Sequence, residues 1–146
     1  MDGVNSNTVI LGVASSDAHV VANHMIAHML RERGFHVVNL GVTTPLQEFG
    51  EAYRAHPGAL AIAIGSLNGH AHSDLQNLPL IRSVYGIACP VIVGGNLSVG
   101  SRKDGAETRR LLELGVAQIL STPRELLAEL QRLRREREAG RTAATV

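Results

Sequence analysis

Thr8-Val9-Ile10-Leu11-Gly12-Val13-Ala14-Ser15-Ser16-Asp17-Ala18-His19-Val20-Val21-Ala22 is the stretch that decides the fold. Residues 8–14 are an apolar run of strand length, rich in β-branched residues. The run ends in Ser15-Ser16-Asp17, and a helical pattern starts at His19. A strand that passes through a short polar loop straight into a helix is the opening of a βα unit. Its loop lies at the carboxyl end of the strand, where open α/β sheets bind ligands. Here that loop carries an imidazole with a carboxylate two residues before it. A carboxylate can accept one ring N–H and leave the other nitrogen free to ligate a metal.

Outward from this unit, four more apolar runs alternate with helical patterns. The spacing predicts strands over 8–14, 36–40, 60–64, 91–93 and 117–120, and helices over 20–33, 46–55, 73–85, 104–114 and 124–137. Gly34 and Gly115 stand where a glycine ends a helix. Thr44-Pro45 and Thr122-Pro123 each read as an N-cap followed by a first helical residue. Near-continuous apolar strands separated by helices predict an α/β fold with a parallel sheet covered on both faces. For five such units the expected architecture is a flavodoxin-like (Rossmann-like) doubly wound sheet of order 2-1-3-4-5. In that order strands 1 and 3 are neighbours. The loop at Ser16–His19 and the loop at Gly65–Gly69 become the walls of a crevice, with the Gly94–Gly100 loop beside them. Leu126, Leu127, Leu130 and Leu133 give the last helix one sheet-facing side. Its charged end, residues 134–138, reads as a solvated face, and residues 139–146 as a frayed, disordered tail.

The 146 residues make one domain, folded over 1–138. With two Phe, two Tyr and no Trp, the core must be built from Ala, Val, Ile and Leu. A formal charge of +1 and the lack of a basic stripe with interleaved aromatics give no reason to expect nucleic acid. The lone Cys89, before Pro90, reads as a small buried hydrophobe. The polar start is unlike a signal peptide, and no apolar run is long enough to span a bilayer. A cytoplasmic protein without membrane contact is therefore expected.

Three motifs share the crevice. Asp17-Ala18-His19-Val20-Val21-Ala22 is followed about forty residues later by Gly65-Ser66-Leu67, and nearly thirty beyond that by Gly94-Gly95. The set resembles the Asp-x-His-x-x-Gly, Ser-x-Leu and Gly-Gly signature of the cobalamin-binding domains of adenosylcobalamin-dependent mutases. Gly34-Phe35, Val37-Val38-Asn39-Leu40-Gly41-Val42 and Gly94-Gly95-Asn96 extend the likeness to the small (sigma) subunit of the glutamate mutases. It covers nearly the whole chain. The resemblance implies that His19 is the axial cobalt ligand and that Asp17 orients it. In this family the histidine displaces the cofactor's own dimethylbenzimidazole, the base-off/His-on state. The freed nucleotide tail then threads into the crevice. The implied binding residues are Ser16, Asp17, Ala18, His19, Val20 and Ala22 in the first loop and Gly65, Ser66, Leu67 and Asn68 in the second. Gly94, Gly95, Asn96, Leu97, Ser98, Val99 and Gly100 complete the set.

The implied function is the cobalamin-binding subunit of a carbon-skeleton mutase of the glutamate to 3-methylaspartate type. Adenosylcobalamin is the implied cofactor, with methylcobalamin or another cobalamin as the alternative. A larger TIM-barrel subunit would bind substrate; this chain carries no catalytic residue and would be inactive alone. The alternatives are a stand-alone corrinoid carrier, a cobalamin-dependent regulatory module, or a domain that has lost its ligand. Two positions depart from the signature. Ala22 replaces a glycine, and Gly65 replaces a serine whose hydroxyl is expected to contact the benzimidazole. Ser66 is expected to point to the other side of the strand end. Among the remaining histidines, His24 and His28 read as helix-surface residues, while His70 and His72, after the second loop, read either as lining the corrin edge or as solvated loop residues. His36 and His56 read as surface positions, and no dinucleotide or P-loop signature occurs.

Overall fold

The computed structural model describes residues 7–14, 19–66, 71–94 and 105–144. Five parallel strands form one sheet: β1 (Thr8–Val13), β2 (His36–Asn39), β3 (Ala61–Gly65), β4 (Val91–Gly94) and β5 (Gln118–Leu120). Their spatial order is β2-β1-β3-β4-β5, the arrangement that the alternating pattern predicts. Among the described residues six helices connect or cover them: α1 (Val20–Glu32), α2 (Leu46–Ala55), α3 (Ala71–Leu75), α4 (Leu78–Tyr85), α5 (Gly105–Glu113) and α6 (Pro123–Ala144).

The period-two alternation of each strand divides the interior into two cores. Ile10, Ile62, Ile64, Val91 and Val93 face Phe49 and Tyr53 of α2, Leu78 of α4 and Leu111 of α5. Val9, Leu11, Ala61, Ala63 and Ile92 face Ala27 and Leu30 of α1 and Leu126, Leu127 and Leu130 of α6. Cys89 lies in the first core, where burial pushes its thiol up to about 11. Gly12 belongs there too: a Cβ on it would stand 2.7 Å from Cζ of Phe49.

Gly34 and Gly115 have φ of +89° and +100°, the left-handed conformation that glycine adopts without strain past a helix end. Thr122 and Glu125 form a reciprocal cap at the start of α6. The Glu125 N–H donates to Thr122 Oγ1 at 3.2 Å, and the Thr122 N–H donates to Glu125 Oε1 at 3.0 Å.

Four expectations are corrected. The helix expected over 73–85 is two, α3 and α4, separated at Gln76 and Asn77. Pro79, in the first turn of α4, has no N–H to offer the preceding turn, so the helix restarts there. Pro45, not Thr44, is the N-cap of α2. The Thr44 N–H donates instead to Val13 O at 2.8 Å, so Thr44 prolongs the pairing beside β1. Helix α6 runs to Ala144, past residue 137 and into the stretch expected to fray. Its charged end is not simply solvated. Arg134 stacks 4.1 Å over the Phe35 ring and donates to Arg33 O, and Arg137 donates to Gly58 O at 2.6 Å. These contacts hold the helix along the amino end of the sheet beyond its leucine face.

Candidate functional site

At the carboxyl end of the sheet, Val13, Gly65, Gly94 and Leu120 lie in register on four adjacent strands. Beneath them runs a second row, Leu11, Ala63 and Ile92. Both rows face the α1/α6 side. Two glycines and an alanine side by side leave a hollow where side chains would otherwise meet. The result is a largely apolar cleft of about 340 Å³. That is within the range of about 300–1,000 Å³ usual for ligand sites. Its walls are Ala22, Asn23 and Ile26 of α1 and Ser121, Thr122, Pro123 and Leu126 at the start of α6, and His19 lines it as well.

The glycines are not there to relieve a clash in the bare fold. A Cβ on Gly65 would meet Val13 Cγ2 at 3.6 Å, and one on Gly94 would meet Leu120 O at 3.5 Å, both ordinary contacts. Side chains at 65 and 94 would therefore extend into the cleft rather than into protein.

Among the described residues the polar groups are few. His19 is the N-cap residue of α1, makes no side-chain cap and is exposed. Ser66 is buried, and its hydroxyl donates to Asp74 Oδ2 at 3.0 Å, consistent with a side chain turned from the glycine row toward α3. The N–H groups of Ser121 and Thr122 both donate to Glu125 Oε1, so the start of α6 is closed by its own side chain. Asn23 is 2% exposed. Its Oδ1 accepts from Asn39 Nδ2 at 2.8 Å, and Asn39 Oδ1 accepts from the Gly41 N–H at 3.0 Å. Nδ2 of Asn23 is buried and has no hydrogen-bond partner among the described residues.

Of the residues the sequence singled out, the structure brings His19, Ala22, Gly65, Ser66 and Gly94 to this one cleft. Val20 is 46% exposed and does not line it. Ser16, Asp17, Ala18, Leu67, Asn68, Gly95, Asn96, Leu97, Ser98, Val99 and Gly100 lie outside the described residues. His70 does too, and the His72 side chain is not described. His24 and His28 are exposed on α1, and His28 Nε2 is 3.3 Å from Glu32 Oε1. Among the described residues there is no cluster of three metal-ligating side chains, and no helix is long and apolar enough to cross a membrane.

Sequence reasoning missed the wall of α6 and Asn23. The signal for Asn23 was available: it shares the buried stripe of α1 with Ala27 and Leu30, a place where an amide is out of keeping. The α6 wall was implicit in the order 2-1-3-4-5, which sets β5, and with it the start of α6, beside β4.

No protein-family model matches the chain. It is 40% identical over 114 residues to the glutamate mutase sigma subunit of Halobacterium salinarum, covering 78% of this chain and 76% of that protein. Identity to glutamate mutase sigma subunit 1 of Haloarcula marismortui is 36% over 138 residues, covering 94% and 90%. The sigma subunit of Clostridium cochlearium is 32% identical over 133 residues, covering 88% and 96%. Among solved structures, a cobalamin-binding protein from Desulfitobacterium hafniense superposes with a TM-score of 0.71 at 14% identity, over 88% of this chain and 59% of that one. The methanol:cobalamin methyltransferase complex MtaBC of Methanosarcina barkeri gives 0.62 at 20% identity, over 87% and 47%. The present chain thus spans about half the length of these two. The chemotaxis protein CheY4 of Vibrio cholerae gives 0.57 at 16% identity. At such identities the structural likenesses establish the flavodoxin-like fold alone.

Proposed function

The chain belongs to the glutamate mutase sigma subunit family, and from that premise we propose that it is the cobalamin-binding subunit of a glutamate-mutase-type isomerase. The observation that carries the proposal is the cleft with the Gly65–Gly94 step in its floor and His19 among its lining residues. The residues fit the cofactor in two respects. A neutral imidazole is a suitable ligand for cobalt. An apolar hollow built over two glycines admits a flat heterocycle without moving backbone.

In this reading His19 would hold the metal in place of the nucleotide base, and Asp17 would accept the ring's other N–H and fix its orientation. Ala22, Ala63, Gly65 and Gly94 exclude water from the tail by shape. Leu67, Asn68, Gly95 and the loop to Gly100 would complete the surround. When bound, adenosylcobalamin supplies the radical chemistry for a rearrangement that interconverts glutamate and 3-methylaspartate. The chain's own work is to bind and orient. A larger subunit, a TIM barrel in this family, supplies the substrate pocket, and the assembly works in the cytoplasm.

Mixing the chain with hydroxocobalamin or adenosylcobalamin is expected to shift the corrin absorption to the base-off, His-on form. His19→Ala is expected to abolish that shift, because the next histidine, His24, lies more than a turn further along α1. A His19→Ala chain that keeps the full shift overturns the assignment. Glutamate mutase turnover is expected only after a larger partner subunit is added.

A further inference from the structure

Asn23 occupies a position that an apolar residue would fill more cheaply. It stands on the buried stripe of α1, is 2% exposed, and leaves one amide nitrogen without a partner among the described residues. A buried donor left unmet is destabilising, and native proteins keep few of them.

The orientation of the amide follows from its neighbours. The Gly41 N–H can only donate, so the atom of Asn39 facing it, 3.0 Å away, is the oxygen. The other end of the Asn39 amide, Nδ2, is then a donor, and the atom of Asn23 at 2.8 Å must be Oδ1. Turning the Asn23 amide over would set two NH2 groups against each other. The unmet atom is therefore the nitrogen, on a residue that lines the cleft.

Several other polar groups along this wall are committed. The Ser66 hydroxyl is on Asp74, and the Ser121 and Thr122 N–H groups are on Glu125. Gly65 and Gly94 bring no side chain. A heterocyclic base that has left its metal carries an exposed ring nitrogen with an in-plane lone pair. Such an acceptor, placed in an apolar cleft, needs a neutral donor as much as the amide needs an acceptor.

We propose that Asn23 is a ligand-binding residue that donates its Nδ2–H to the ring nitrogen of the cofactor's displaced nucleotide base, and so gives this chain its preference for a corrinoid with a complete tail. The inference rests on the cobalamin reading above and adds to it the residue that recognises the tail.

The test compares cobalamin with cobinamide, which lacks the nucleotide, on the full chain. Asn23→Asp keeps the oxygen that Asn39 needs and removes the NH2. The unaltered chain is expected to bind cobalamin more tightly than cobinamide. Asn23→Asp is expected to narrow that preference by roughly two- to tenfold, the worth of one hydrogen bond, with cobinamide affinity unchanged. Equal weakening for both ligands would show that Asn23 only braces the fold and would overturn the proposal. If the substituted chain does not fold, NMR of the unaltered chain decides. The side-chain amide signal of Asn23 is expected to move on adding cobalamin and to stay in place with cobinamide. An unmoved signal in a chain that binds both corrinoids overturns this inference alone. A chain that takes up neither overturns the cobalamin reading, and this one with it.

Discussion

Glycine does opposite work on the two faces of the sheet. Beneath α2, Gly12 is packed: the Phe49 ring takes the space a side chain would need, and any Cβ would collide with it. Toward α1 and α6, Gly65 and Gly94 are vacated: a Cβ on either would make ordinary contacts and leave the backbone undisturbed. The first face is a closed core, with Phe49 and Leu111 each 1% exposed. The second is closed only in its lower part, around Leu30 and Leu130, and opens into the cleft where the strands end. The same residue type thus marks tight packing in one place and room for a ligand in the other. Only the identity of the neighbours tells them apart.

The largest test of this contrast uses one residue type on both faces. Leu111→Ala removes a side chain from the closed core and leaves a new cavity, so it should cost about 3–5 kcal/mol in chemical denaturation. Leu126→Ala removes a side chain that already borders the cleft, so little new cavity forms and the loss should be nearer about 2 kcal/mol. Equal losses would mean that the cleft collapses when the chain is free. Next in size, Gly12→Ala forces Phe49 to move inside a full core and should cost about 1–3 kcal/mol, whereas Gly94→Ala should stay within about 0.5 kcal/mol. Smallest in stability is Gly65→Val, expected to shift the unfolding midpoint hardly at all, by about 0.5 kcal/mol or less. Its effect should appear in binding instead, reducing cobalamin to the affinity of cobinamide. A Gly65→Val chain that still prefers cobalamin would show that the tail does not pass over β3.

The strand order, the helix ends at Gly34 and Gly115 and the cap at Thr122 were all legible, because each follows from local chemistry repeated along the chain. The cleft was legible in outline for the same reason: order 2-1-3-4-5 brings the ends of β1, β3 and β4 together. What escaped depended on partners distant in sequence. Thr44 looks like a cap until β1 claims its N–H. The end of α6 looks like a charged, solvated tip until Arg134 and Arg137 find Arg33, Phe35, Gly58 and Ala59 across the fold. Asn23 and Asn39 are 16 residues apart and acquire meaning only as a pair. Pro79 was the exception, a local signal outweighed by the apolar spacing on either side of it.

Because a Cβ at 65 or 94 would make only ordinary contacts with the described residues, selection against a side chain there would act chiefly through the ligand. Mutation at Gly12 is filtered in every cell by whether the protein folds. Mutation at Gly65 or Gly94 is filtered chiefly where the cleft is in use. In a lineage that ceased to need its cofactor, these two positions would drift first, well before the core, and larger side chains would accumulate in them. Gly94 keeps the glycine of the family signature, whereas Gly65 already departs from its serine, so of the two positions Gly94 is the one that can serve as a record of use.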